Sequence, residues 1–274
     1  VVVWGVSVAV GFLAWFGCLA LGRMPTGFRD LLAYTLRYGA QTWSYLLLLT
    51  DRYPDADPSE PPAAQPTPEK PVKLRVEDDL RRSRLTVFFR LLLTIPHIAW
   101  LILWGIVAFL ALVVGWFATL FTGRLPGALH RFLAAYVRYA THVFAFLFLV
   151  ANPFPGFAGT QGSYPIDLEI APPGRQSRWK TLFRLFLAFP AHLLASALLI
   201  ALELVAIFGW FVGLFLGRMP NGLRNLGAYC LRYTAQTYAY IYLLTDSYPY
   251  SGPTEDVKPV PPWPGPLPLP SPSA

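Results

Sequence analysis

The chain has 274 residues, 55% of them hydrophobic and only 14% charged, with a mean hydropathy of +0.45 and a net charge of +7. Water-soluble domains carry roughly a quarter charged residues, so this balance argues for a membrane protein. The Lys and Arg flank apolar segments and form no separate basic domain, which argues against nucleic acid as a partner and fits contact with lipid headgroups.

In chain order, residues 1–21 form an apolar helix. With neither Met nor a basic leading region, it reads as a membrane span whose beginning is missing rather than as a signal peptide. A Gly22-Arg23-x-Pro25 turn follows, then a second helix over 28–49 and a Pro-rich connector over 54–71. Lys73-Leu74-Arg75-Val76 alternates with period two and predicts a short β-strand outside the lipid. Residues 82–95 mix Arg with Leu and Phe, predicting an amphipathic interfacial helix that Pro96 kinks into a span over 98–121. The same series then recurs: a second helix over 128–150, a strand at Asp167–Ile170, an interfacial helix over 176–189, a span over 193–216 and a helix over 223–244. Each second helix is long enough to span when tilted, although its first half carries charge and alternatively lies in the interface.

Three segments thus share one pattern in fixed register. Trp15-Phe16, Gly22-Arg23-x-Pro25, Arg37-Tyr38 and Tyr53-Pro54 match Trp116-Phe117, Gly123-Arg124-x-Pro126, Arg138-Tyr139 and Phe154-Pro155. These in turn match Trp210-Phe211, Gly217-Arg218-x-Pro220, Arg232-Tyr233 and Tyr248-Pro249, the offsets being 101 and 94 residues throughout. Upstream, Ser83-Arg84, Arg90 and Pro96 match Ser177-Arg178, Arg184 and Pro190. The organisation is a truncated first repeat (1–54), a Pro-rich linker (55–72), a second repeat (73–159), a third (163–250) and a Pro-rich disordered tail (251–274). The expected fold is an all-α membrane protein, a tandem repeat of two transmembrane helices preceded by an interfacial helix and a short strand. Six helices would then place the termini and connectors on one side, taken as cytoplasmic in a multi-pass protein of the cell membrane, and the Gly-Arg-x-Pro turns on the other.

These motifs resemble the bacterial and archaeal membrane family called domain of unknown function 4389. The resemblance rests on Ser83, Arg84, Arg90, Pro96, His97, Thr122, Gly123, Arg124, Pro126 and Arg138, and on a closing Thr-Asp-x-Tyr-Pro at 50–54 and 245–249. The second repeat reads Ala151-Asn152-Pro153 at that place, and the third moves its His to His192. The resemblance implies no activity.

Arg37, Arg138 and Arg232 lie about 15 Å along the second helices at 1.5 Å per residue, where charge is expensive. They serve the repeat structurally, by snorkelling or ion pairing, or they bind a lipid phosphate with the guanidinium fork. Asp51 and Asp246 sit at helix C-terminal ends, where the dipole disfavours a carboxylate. Arg84, Arg90, Arg178 and Arg184 lie on the same side and are the expected ion partners, while Asn152 offers only a hydrogen bond. His97 and His192 form no metal-ligand cluster and suit headgroup-level hydrogen bonding. Cys18 and Cys230 lie in apolar helices without redox or metal spacing.

No nucleophile elbow, phosphate loop or dinucleotide fingerprint is present, so neither an enzyme nor a cofactor is expected. The function expected is a non-catalytic scaffold or accessory component of a membrane or envelope complex that binds anionic lipid. The Pro-rich stretch from Pro261 to Pro272 offers a docking segment for a protein partner. The alternative is a transporter or channel for a small or lipidic anion. Against it, the repeats read as parallel rather than inverted, and no intramembrane acid is expected to relay protons.

Overall fold

The computed structural model describes residues 2–21, 24–51, 53–57 and 71–252. Residues 253–274 of the Pro-rich tail, with its docking segment, and residues 58–70 of the linker lie outside the described residues, as does Arg23. The described chain is mostly helical with one small two-stranded sheet. In order come α1 (Val2–Leu21), α2 (Thr26–Leu46), β1 (Val72–Val76), α3 (Arg84–Thr122), α4 (Gly127–Leu147), β2 (Ile166–Ile170), α5 (Arg178–Leu182), α6 (Arg184–Leu216) and α7 (Asn221–Ile241). The pairs α1–α2, α3–α4 and α6–α7 pack as helical hairpins. At the turns, α3 and α6 stop at Gly123 and Gly217, left-handed at φ 72° and 68°, which glycine adopts without a Cβ clash. Pro126 and Pro220 then lead into the next helix.

Two local expectations fail. The interfacial segment is not a separate helix: α3 runs on through Pro96 and α6 through Pro190. In the third repeat the break falls instead at Phe183, between α5 and α6. A proline forfeits one helical hydrogen bond, and packing of the flanking turns carries the helix past it. The second difference concerns the spans. Only α3 and α6 among the described helices are long and apolar enough to cross a membrane, and α1 contributes a shorter apolar stretch, Gly5–Leu19. Helices α4 and α7 fall short because they are inner helices. They bury His130, Arg138, His142, Arg224, Arg232 and Gln236, and α7 is covered on almost every side.

The second and third repeats pair with each other through a two-fold relation. Arg82 N–H donates to the Gly217 carbonyl at 2.8 Å, and Gln176 N–H, 94 residues on, donates to the Gly123 carbonyl at 2.9 Å. Trp210 Nε1 donates to the Val87 carbonyl at 3.0 Å, and Trp116 Nε1 to the Thr181 carbonyl at 2.9 Å. Arg81 bridges Arg218 and Arg124 bridges Arg175. Each contact recurs with the two repeats exchanged, the mark of an isologous interface. β1 and β2 pair antiparallel, Val72 opposite Ile170 and Val76 opposite Ile166, which sets the axis at the central Leu74–Leu168 pair.

It follows that α3 and α6 run antiparallel, the start of each against the end of the other. The Gly-Arg-x-Pro turn of each repeat therefore packs on the connector leading into the other repeat. The topology read from the sequence, with these two features on opposite sides and the repeats parallel, is corrected on this point. The reason is physical: strand pairing and turn–connector hydrogen bonds join different repeats, and no periodicity within one repeat encodes them.

Along the axis the molecule has three layers. The β1–β2 ribbon packs on α7 and α4, and these pack in turn on α6 and α3. α3 buries a narrow seam, including Arg90, Thr94, His97, Leu101, Ala108 and Gly115, in steps of three, four and seven. The rest of its surface is exposed and apolar, including Phe88, Leu92, Leu103, Phe109, Val114 and Phe121. α6 likewise exposes Leu185, Phe189, Ile200, Ile207, Phe211 and Phe215. α1 lies along α6 and exposes Phe12, Trp15 and Phe16.

Candidate functional site

Several of the polar groups that sequence singled out gather at two recurrent places, both built from the second helix and the loop that follows it. The first is the C-terminal end of that helix. Leu48, Leu149 and Leu243 stand at one repeat position and all take positive φ, 57°, 60° and 62°. The left-handed region is unfavourable for such a side chain and is held only where neighbours over-determine it. In the first and third repeats the next residue closes a Schellman-type turn, Leu49 N–H to the Ser44 carbonyl and Leu244 N–H to the Ala239 carbonyl, both 2.9 Å.

Arginines from the long helices grip the carbonyls exposed there. Arg184 Nη1 donates to the Tyr240 carbonyl at 2.6 Å and the Thr245 carbonyl at 2.9 Å. Its Nη2 donates to Gln176 Oε1 and to Asp246 Oδ1, each at 2.9 Å, and its guanidinium lies 4.5 Å from the Tyr240 ring centroid. Arg90 repeats this pattern with the Phe146 and Ala151 carbonyls, with Asn152 Oδ1 at 3.3 Å, and over the Phe146 ring. Asp246 is thus 2.9 Å from Arg184 and 3.5 Å from Lys180 Nζ. Asp51 is exposed, and among the described residues it forms no ion pair with Arg84, Arg90, Arg178 or Arg184. Arg84 is exposed and donates to the Phe215 carbonyl at 3.0 Å, and Arg178 is exposed.

Sequence reasoning missed the residues that complete this place. Arg82 forms a fully buried pair with Asp78 at 2.8 Å and also donates to the Leu149 and Val150 carbonyls. At the equivalent position Gln176 Nε2 donates to the Leu243 carbonyl at 2.6 Å. The recurrence of a polar residue just before Ser83 and Ser177 was the available signal.

The second place is the middle of the inner helix. Arg37, Arg138 and Arg232 donate to the carbonyls of Asp57 at 3.1 Å, Gly159 at 3.2 Å and Gly252 at 2.5 Å, pinning the following loop back along its own helix. Arg138 Nε also reaches the Leu168 carbonyl at 2.9 Å and stands 3.6 Å from Asp167. His142 Nε2 meets Asp167 Oδ1 at 2.9 Å. Gln236, at the matching place in the third repeat, donates to the Val72 carbonyl at 3.0 Å and accepts from Tyr250 N–H at 3.1 Å. Burial pushes the Asp167 carboxyl up. Hydrogen bonds from His142 and from the Gly162 and Leu168 amides, with His142 charge, outweigh burial and hold it below the usual carboxylate range.

His97 is fully buried, bonds Tyr139 Oη through Nδ1 at 2.7 Å and stacks on Phe157, whereas His192 is exposed. Among the described residues no three His, Cys, Asp or Glu side chains converge as a metal-ligand set. An apolar cavity of about 370 Å³ opens between α3, α4 and α7, lined by Leu101, Gly105, Tyr136, Val137, Thr234 and Tyr238 among others. Neither Arg138 nor Arg232 lines it. Glu203, overlooked among the apolar residues of the third repeat, is exposed near the middle of α6.

These features define a helical tandem-repeat protein whose buried arginines hold helix ends and loops in place. The family model described as Domain of unknown function (DUF4389) matches residues 84–158 and 178–251, and the chain belongs to that family. The match covers two tandem copies; the α1–α2 hairpin lies outside it. No curated protein and no solved structure matches the chain.

Proposed function

We propose that this chain is a non-catalytic membrane protein that acts as a scaffold or accessory component of a membrane complex and binds anionic lipid. The observation that carries the reading is the outer layer, where α3 and α6 expose Phe, Leu, Ile and Val along their whole length. Monomeric soluble proteins rarely expose contiguous apolar patches beyond a few hundred Å². Arg37, Arg138 and Arg232 are occupied with the protein's own carbonyls, which supports a structural role for them. Neither Arg138 nor Arg232 lines the apolar cavity, which weighs against an anion pathway through it at those residues.

The test is mass spectrometry of the full chain extracted in native nanodiscs, with retained lipids and proteins identified together. Retained anionic lipid with a stoichiometric protein partner is the expected result. A chain recovered in the aqueous fraction without lipid would sink the reading.

A further inference from the structure

Two-fold symmetry constrains how the apolar layer can meet a membrane. The axis passes through the Leu74–Leu168 pair and relates the two ends of the α3–α6 layer, so the ribbon is equidistant from those ends. Were α3 and α6 to cross a bilayer, the ribbon would sit at its midplane. Yet the ribbon carries the Arg75–Glu169 ion pair, with side chains 56% and 36% exposed. Exposed strand edges and charges do not occur against lipid at that depth. Length points the same way: the 39 residues of α3 extend about 58 Å, nearly twice the roughly 30 Å hydrocarbon core.

The conflicts of the ribbon and of length vanish if the helices lie flat. A helix about 10–12 Å across fits within one leaflet, whose hydrocarbon depth is about 15 Å. The axis then stands along the membrane normal, and the ribbon faces water. The rim of the layer is also charged in matching fashion at both ends. Arg81, Arg84 and Arg218 lie at one end, and their symmetry mates Arg175, Arg178 and Arg124 at the other. All six are exposed, and among the described residues none is ion-paired. The nearby acids are exposed Asp79 at one end and Asp246, already held by Arg184 and Lys180, at the other.

We infer that α3 and α6 lie in the plane of the membrane, sunk into one leaflet, with these six arginines holding the phosphates of anionic headgroups around the rim. The inference rests on the membrane reading above and replaces crossing helices in the second and third repeats with an in-plane pair.

Single cysteines in the full chain, on a Cys18→Ala, Cys230→Ala background, test it. Ser83→Cys and Ser177→Cys mark the two symmetry-related helix starts, and exposed Gln161→Cys marks the loop before β2. A membrane-impermeant maleimide applied to sealed vesicles should label all three from one face, and all three should lose labelling together in vesicles of the opposite orientation. Labelling of Ser83→Cys and Ser177→Cys from opposite faces would overturn the in-plane placement while leaving membrane residence intact. Release of the chain by alkaline carbonate would remove the membrane reading, and the inference with it. For the rim, Arg84→Gln with Arg178→Gln should lower the anionic lipid retained in native mass spectra, and unchanged retention would refute that part.

Discussion

Replacing Arg184 by alanine should be among the most damaging single changes in the third repeat. The guanidinium is buried and makes four hydrogen bonds, two to backbone carbonyls, one to Gln176 and one to Asp246, besides lying over Tyr240. Its loss strands the Thr245 carbonyl, leaves the Tyr240 carbonyl with the Leu243 N–H alone at 3.2 Å, and leaves Asp246, 22% exposed, with Lys180 and the Ser177 N–H. Breaking a buried pair by removing one partner costs about 3–5 kcal/mol, and each buried acceptor left unmet costs about 1–3 kcal/mol before relaxation. An overall loss of about 4 kcal/mol is therefore expected, a drop of about 10 °C at 2–4 °C per kcal/mol. Asp246→Asn is the contrasting change, because the second repeat already places Asn152 against Arg90 at 3.3 Å. It should cost about 1 kcal/mol, the scale of one ordinary hydrogen bond. Thermal unfolding of both variants in detergent, followed by tryptophan fluorescence, reads the two values. Equal and small losses would refute the claim that Arg184 clamps the end of α7.

Three further outcomes follow from the geometry. Asp167→Asn should be less stable than wild type at neutral pH. Because the folded state depresses this carboxyl, the wild-type advantage is complete above the unfolded value of about 3.9 and fades as pH falls through the lower folded value, so unfolding midpoints of the two proteins should converge in acid. Gly159→Ala should lose more than about 2 kcal/mol, since φ is +58° and a Cβ would strike the Ala135 carbonyl and Tyr139, whereas Gly156→Ala meets nothing within 4 Å and should be near neutral by the same melt. Trp116→Phe and Trp210→Phe each remove one symmetry-related hydrogen bond and should cost the same, about 1 kcal/mol; unequal denaturation midpoints would argue against the two-fold pairing.

The elements that sequence reveals well are those written in local pattern. The apolar runs, the Gly and Pro stops and the alternating strand residues lie in register with α1, α3, α6, β1 and β2. What repeats cannot reveal by themselves is which copy touches which. The Arg82–Gly217 and Gln176–Gly123 hydrogen bonds span more than half of a repeat-to-repeat distance and leave no periodic trace. The inner helices were misjudged for a related reason: the length and apolar character of a helix do not tell whether lipid or protein surrounds it. Arg138 and Arg232 looked out of place in a membrane and lie instead in a protein interior, bonded to Gly159 and Gly252. Asp167 escaped notice because a strand carboxylate reads as solvent-facing until His142 is seen beneath it.

The pairing of the second and third repeats fixes the three layers, the exposed apolar face and the charged rim. A chain carrying Leu74→Cys and Leu168→Cys, with Cys18 and Cys230 removed, tests it most directly, because these residues face each other across the ribbon axis. Directly opposed residues on antiparallel strands have Cβ atoms about 4.5–5.5 Å apart, within reach of a disulfide after a small adjustment. After mild oxidation and proteolytic cleavage between the two positions, the two-fold pairing predicts fragments that stay joined until reduced. Fragments that separate without reduction, or that are joined only between different molecules, would contradict it.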